Sequence, residues 1–168
     1  SKIESRTVYM CFSTDVIHSG HIAILRKAQK LGKVIIGVLS DEAVVNYKRF
    51  PLLPFEERKS LFESMAGIYK IVKQDTLSYR ENLLRYHPTY VVHGDNWRSG
   101  VQKPIRDEVC EVLATYGGQL VEYPYASDAK YAEIDKRVQM ELSTPDVRRG
   151  RLRKVLAMKG LVTALEAH

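Results

Sequence analysis

Five short runs rich in β-branched and aromatic residues, at positions 7–13, 34–39, 68–72, 90–93 and 120–123, alternate along this chain with segments whose apolar residues recur at helical spacing. Alternation of that kind predicts an α/β fold: a Rossmann-like parallel five-stranded sheet with right-handed crossovers and helices on both faces. The run at 34–39, Val-Ile-Ile-Gly-Val-Leu, is continuously apolar, as a strand covered on both faces must be. Helices are expected over 20–31, where Ile22, Leu25, Ala28 and Leu31 share a face, and over 55–65, where Phe55, Leu61, Phe62 and Met65 do and Glu56 and Glu57 suit the dipole of the first turn. Further helices are expected over 79–86, stopped at His87-Pro88, over 104–116, closed by Gly117-Gly118, and over 129–142. Residues 41–47 read as a short helix or turn.

At 168 residues the chain suits a single hydrophobic core. We expect one domain over 1–144, followed over 145–168 by a basic, helix-prone extension with no strand character. The net charge of +6, concentrated toward the end in Arg148, Arg149, Arg151, Arg153 and Lys154, favours an anionic partner. A polyanionic small molecule satisfies that charge as well as nucleic acid does. The chain carries none of the usual nucleic-acid motifs and its aromatics form no stacking platform, so no nucleic acid partner is expected. It has no run of ~18 apolar residues and no charged-then-apolar start, so the expectation is a cytoplasmic setting with no membrane partner. Cys11 and Cys110 lie in strand-like and helix-like runs without metal-type spacing, and neither a disulfide nor zinc is expected.

In a parallel sheet, ligands bind at the carboxyl ends of the strands, and two polar clusters fall there. His18-Ser19-Gly20-His21 follows the first strand, and His93-Gly94-Asp95-Asn96-Trp97 follows the fourth. Two histidines three apart at a helix start can both face one side of the first turn, toward which the unpaired backbone N–H groups also point. Such a turn suits a phosphate, with Gly20 allowing close backbone approach. A pair of this kind standing alone reads more often as a cap and a surface side chain, or as part of a metal site. Here Asp15 lies three residues ahead of it, and Gly-Asp follows a later strand.

The stretch Ser13-Thr14-Asp15-Val16-Ile17-His18-Ser19-Gly20-His21 resembles the signature of the HxGH nucleotidyltransferases, the group that contains glycerol-3-phosphate and phosphocholine cytidylyltransferases. Over nearly the whole length the chain is similar to the cytidylyltransferase domain fused ahead of phosphoenolpyruvate mutase in phosphonate biosynthesis enzymes. That likeness is carried by Asn46-Tyr47-Lys48-Arg49, Phe55-Glu56-Glu57-Arg58-Lys59, His93 to Trp97 with Gly100-Val101-Gln102-Lys103, and Gly117-Gly118-Gln119-Leu120-Val121-Glu122. Residues 159–168, ending Leu165-Glu166-Ala167-His168, are similar to the opening of the mutase domain, which makes 145–168 a helical linker leading toward it.

The resemblance implies transfer of CMP from CTP to a small phosphonate, 2-hydroxyethylphosphonate or 2-aminoethylphosphonate, with magnesium as cofactor and pairing into a homodimer. His18 and His21 would hold the triphosphate and stabilise charge at the α-phosphorus, and Lys48 would neutralise phosphate. Phe12, Ser13, Thr14 and Gly20 would line the nucleotide, and Asp15 would orient that loop and take part in magnesium binding. His93, Gly94, Asp95 and Trp97 would wall the nucleoside, with Asp95 accepting from ribose or base. Lys130 would meet phosphate, and Arg58 and Tyr131 are candidates for phosphate or acceptor. Without the resemblance, Lys48 and Arg58 read equally as solvated charges, Trp97 as a core or lid residue, and Asp95 as a turn cap.

Two departures stand out. The family's Ile-Ser-Ser-Thr phosphate motif is replaced by Ala129-Lys130-Tyr131-Ala132-Glu133-Ile134, and Phe12 stands where the wider superfamily has glycine. The first leaves open a second reading, a nucleotide-binding or scaffolding domain that does not turn over. The triphosphate motif does not read the base, so adenylyl or guanylyl transfer also stays open.

Overall fold

The computed structural model describes residues 5–12, 19–46, 51, 53–124, 133 and 137. Strand β1 (Thr7–Phe12) leads to helix α1 (Ser19–Gln29), strand β2 (Lys33–Leu39), helix α2 (Asp41–Asn46), helix α3 (Phe55–Glu63) and strand β3 (Ile68–Gln74). Helix α4 (Arg80–Tyr86), strand β4 (Tyr90–Gly94), two single 3-10 turns (Asp95–Trp97 and Gly100–Gln102), helix α5 (Lys103–Ala114) and strand β5 (Gln119–Tyr123) complete the order. The strands form one five-stranded sheet in the order β3-β2-β1-β4-β5, and every neighbouring pair is parallel. The expected α/β Rossmann-like architecture is the one observed.

Both faces of the sheet are covered, which is why β2 reads as an unbroken apolar run: Val34 to Leu39 are all buried. Successive residues of a strand point to opposite faces. Val8, Met10 and Phe12 pack with Ile24, Leu25 and Ala28 of α1 and Phe62 of α3. Tyr9, between them in sequence, points the other way and packs with Leu83 of α4 and Val109, Val112 and Leu113 of α5. Gly37 makes room for it, because a Cβ there would lie 2.6 Å from Tyr9 Cζ.

Element ends differ from the sequence expectations by a few residues, for local reasons. Helix α1 stops at Gln29 because Lys30 and Leu31 close a tighter turn, with Leu31 N–H donating to Ala28 O at 2.9 Å. Helix α5 ends at Ala114, and Gly117 takes φ +85° in the turn that follows. Strand β3 runs on to Gln74 because its last residues pair with Val38 and Leu39 of β2. The helix expected over 129–142 lies outside the described residues except at Glu133 and Arg137, both helical. The extension 145–168 lies outside them entirely. Among the described residues, no helix is long and apolar enough to cross a membrane.

The strand order also creates the site. From β1 the chain steps through β2 to β3 on one side, then returns to place β4 and β5 on the other. Connections therefore diverge at the β1–β4 junction, where open α/β sheets leave a crevice beyond the strand ends.

Candidate functional site

Helix α1 opens at Ser19 beyond the end of β1, so its first-turn N–H groups lie at the carboxyl edge of the sheet. Gly20 is buried, and the half-buried His21 sets its ring edge-on to Phe12, centroids 6.1 Å apart. The site candidates Ser13, Thr14, Asp15, His18, Lys48, Lys130 and Tyr131 lie outside the described residues.

At the same edge an open cleft is lined by Cys11, Leu39, Gln74, Leu77, Tyr79, His93, Trp97, Gln102 and Ile105. Four of these end or nearly end the strands β1, β2, β3 and β4, so the cleft spans the junction from the face that carries α4 and α5. None of the nine is a carboxylate, lysine or arginine.

His93 supplies the cleft's clearest polar handle. Its ring lies flat on the indole of Trp97, with centroids 3.7 Å apart and planes within 5°. Nδ1 is 2.7 Å from Gly94 O, a group that can only accept, so Nδ1 carries the proton and the second nitrogen, Nε2, is an acceptor. Burial lowers the His93 pKa from its ordinary 6.5, against smaller opposing effects of that hydrogen bond and of Glu122. Burial likewise pushes the Cys11 thiol up to about 12, leaving it protonated and a poor nucleophile.

Trp97, expected to wall the nucleoside, is fully buried at the cleft, with His93 on one side and Tyr79 tilted against it at 5.7 Å. With its ring packed in this way, Trp97 lines the cleft together with the stacked His93 ring. Gly94 is buried, and the half-buried Asp95 opens the following 3-10 turn, with Arg98 N–H reaching its carbonyl at 3.5 Å.

Arg58, a candidate for phosphate or acceptor that read equally as a solvated charge, is not solvated. Fully buried, it donates from Nη1 to Leu39 O at 2.7 Å, from Nε to Leu53 O at 3.0 Å and from Nη2 to Asp41 Oδ1 at 2.6 Å. It ties the end of β2 to the start of α2 and to the segment entering α3, so it shapes the rim of the site.

Gln74, Asn82 and Glu122 escaped the sequence reading. Tyr9 Oη donates to Gln74 Oε1 at 2.6 Å and accepts from Asn82 Nδ2 at 3.0 Å, a buried polar chain beneath the cleft. Glu122 gathers Trp97, Arg98 and Arg106 onto one carboxylate. Its partners lie 16 to 25 residues away, and in sequence it reads only as one charge in a short strand.

A parallel sheet with a helix N-terminus and a cleft at its switch point is the arrangement of an open, doubly wound α/β domain whose ligand site lies beyond the strand ends. A family model described as cytidylyltransferase-like matches residues 11–150, and the chain belongs to that family. It is 30% identical over 95 residues to the ethanolamine-phosphate cytidylyltransferase of Arabidopsis thaliana, covering 53% of this chain and 23% of that protein. It is 32% identical over 80 residues to the FAD synthase of Archaeoglobus fulgidus, covering 48% and 58%. The chain thus spans between about a quarter and three fifths of the length of these curated relatives. Among solved structures, the lipopolysaccharide core biosynthesis protein of Thermoplasma volcanium superposes with a TM-score of 0.62 at 17% identity, covering 73% of this chain and 98% of that one, a likeness of fold.

Proposed function

We propose that the chain transfers CMP from CTP to a small phosphonate, 2-hydroxyethylphosphonate or 2-aminoethylphosphonate, with release of pyrophosphate. The observation that carries this reading is the cytidylyltransferase-like match over residues 11–150, which takes in the His-Ser-Gly-His turn where α1 leaves β1. The phosphonate acceptor, and fusion to a phosphoenolpyruvate mutase domain, rest on the resemblance described above and on residues 159–168.

In this reading a phosphonate oxygen attacks the α-phosphorus in line. A P–O bond forms there as the bond to the bridging oxygen of the leaving pyrophosphate breaks. The acceptor is already ionised at neutral pH, so no general base is required. His18, His21 and the N–H groups of the first turn of α1 hold the phosphates and stabilise the charge that develops, with Lys48 and Lys130 adding positive charge. His93 Nε2 accepts from a hydroxyl or amino group of the substrate in the cleft. Magnesium, when bound to the triphosphate, would neutralise its charge, with Asp15 as the protein carboxylate. Among the described residues no three His, Cys, Asp or Glu side chains converge on a metal site.

Pyrophosphate release with CTP and a panel of phosphonates tests the proposal. Turnover with one phosphonate, abolished in His21→Ala, is expected; silence with every pair in a folded protein that binds magnesium-CTP overturns it. The altered stretch at Ala129 to Ile134 favours a second reading, binding without turnover, which calorimetric titration with CTP and CMP separates. Similarity to an FAD synthase as well as to a cytidylyltransferase makes a comparison of all four nucleoside triphosphates the test of base preference.

A further inference from the structure

Glu122 accepts four hydrogen bonds, and the pattern assigns it a task. Arg106 reaches both carboxylate oxygens, Nε to Oε2 at 3.0 Å and Nη2 to Oε1 at 2.9 Å, and Arg98 Nε adds a third bond to Oε1 at 3.1 Å. These three anchor the carboxylate, whose side chain is only 7% exposed. The fourth bond runs toward the cleft: Trp97 Nε1–H donates to Oε2 at 2.8 Å. Glu122 and His93 are register partners on the adjacent parallel strands β5 and β4, so their side chains leave the same face of the sheet side by side. Glu122 and the His93 ring thus meet at the same indole, one at its nitrogen and the other on its face.

We propose that Glu122 is a positioning residue: clamped by Arg98 and Arg106, it fixes the plane of the Trp97 indole, and that plane sets the direction in which His93 presents Nε2 to the cleft. The inference rests on the proposed transfer reaction and deepens it by naming what aligns the cleft's hydrogen-bonding group. An indole free to rotate about its side-chain bonds would carry the stacked imidazole with it. A displacement of about 1 Å in such a group is enough to weaken a substrate contact strongly.

Because Trp97 is the only tryptophan in the chain, its fluorescence reads this arrangement without turnover. In Glu122→Gln one of the two acceptor oxygens becomes an NH2 group facing donors, the charge is removed, and a single oxygen is left to serve Trp97, Arg98 and Arg106. The expected result is an indole at least about twice as accessible to acrylamide quenching. The KM of the substrate in the cleft, CTP or phosphonate, should rise about tenfold, with the other KM and kcat within about threefold. Where Glu122→Gln does not fold, Trp97→Phe, which keeps an aromatic ring but loses the indole N–H together with the five-membered ring, carries the same expectation for KM. A folded Glu122→Gln with unchanged quenching and unchanged KM values overturns the positioning role alone, as does a parallel collapse of kcat with both KM values. A wild-type protein that releases no pyrophosphate overturns the transfer reading, and the positioning role with it.

Discussion

The imidazole of His93 lies on the indole of Trp97 at 3.7 Å, in a plane only 5° from parallel, at the end of the strand that borders the switch point. Burial keeps the ring neutral, its pKa lowered from 6.5. The unfolded chain would bind a proton below that value more readily than the folded one, so stability should be lost as pH falls below 6.5. Urea unfolding at about pH 7.5 and about pH 5.5 checks this. Wild type should lose more stability than His93→Asn over that interval; equal losses would show that the ring titrates normally.

Gly37 admits the Tyr9 ring, which in turn reaches Gln74 and Asn82. Gly37→Ala should overpack this site and destabilise the fold by about 2–3 kcal/mol. Chemical denaturation gives the value directly, and a loss within error of zero would mean that Tyr9 can relocate freely.

The buried guanidinium of Arg58 satisfies two carbonyls and the Asp41 carboxylate. Arg58→Met should cost about 3 kcal/mol by leaving Leu39 O and Leu53 O without their donor in the interior. Asp41→Asn, at a half-exposed carboxylate, should cost about 1 kcal/mol or less. The ordering of the two costs is the measured quantity.

Arg106, helped by Trp97 and Arg98, holds the Glu122 carboxyl down to about 2 from an ordinary 4.5. Its stabilising effect is therefore complete above 4.5 and is lost as pH falls from there toward about 2. Thermal melts of wild type and Glu122→Gln should differ most at neutral pH and converge through that acid range. A gap that stays constant with pH would remove the charge from the explanation.

The sheet was legible because its signal is local: β-branched runs alternating with 3.6-residue periodicity name each element, and parallel crossovers follow. The strand order and the division of the core between Val8 on one face and Tyr9 on the other come from the structure, because several orders share the same alternation of elements. The helix start at Ser19-Gly20-His21, beyond the end of β1, was legible for the same reason as the strand runs, since its residues are contiguous. Glu122, Gln74 and Asn82 were not, because each acts through partners that are distant in sequence, such as Tyr9 at 65 and 73 residues from the latter two. Arg58 misled because the sequence shows a cation among charged neighbours, and only the fold shows that α3 turns it inward. Trp97 was placed at the correct edge, but which neighbour would cover its ring depends on packing that no pattern in the sequence encodes.

The central claim is cytidylyl transfer at the turn that holds His21. Phosphorus NMR of a reaction containing CTP, magnesium and 2-hydroxyethylphosphonate or 2-aminoethylphosphonate follows the new bond itself. The expected result is a coupled pair of signals from a CMP-phosphonate anhydride growing with pyrophosphate, slowed about a hundredfold or more in His21→Ala. Persistence of unchanged CTP and phosphonate with folded wild-type protein, or product formed equally fast by His21→Ala, would contradict it.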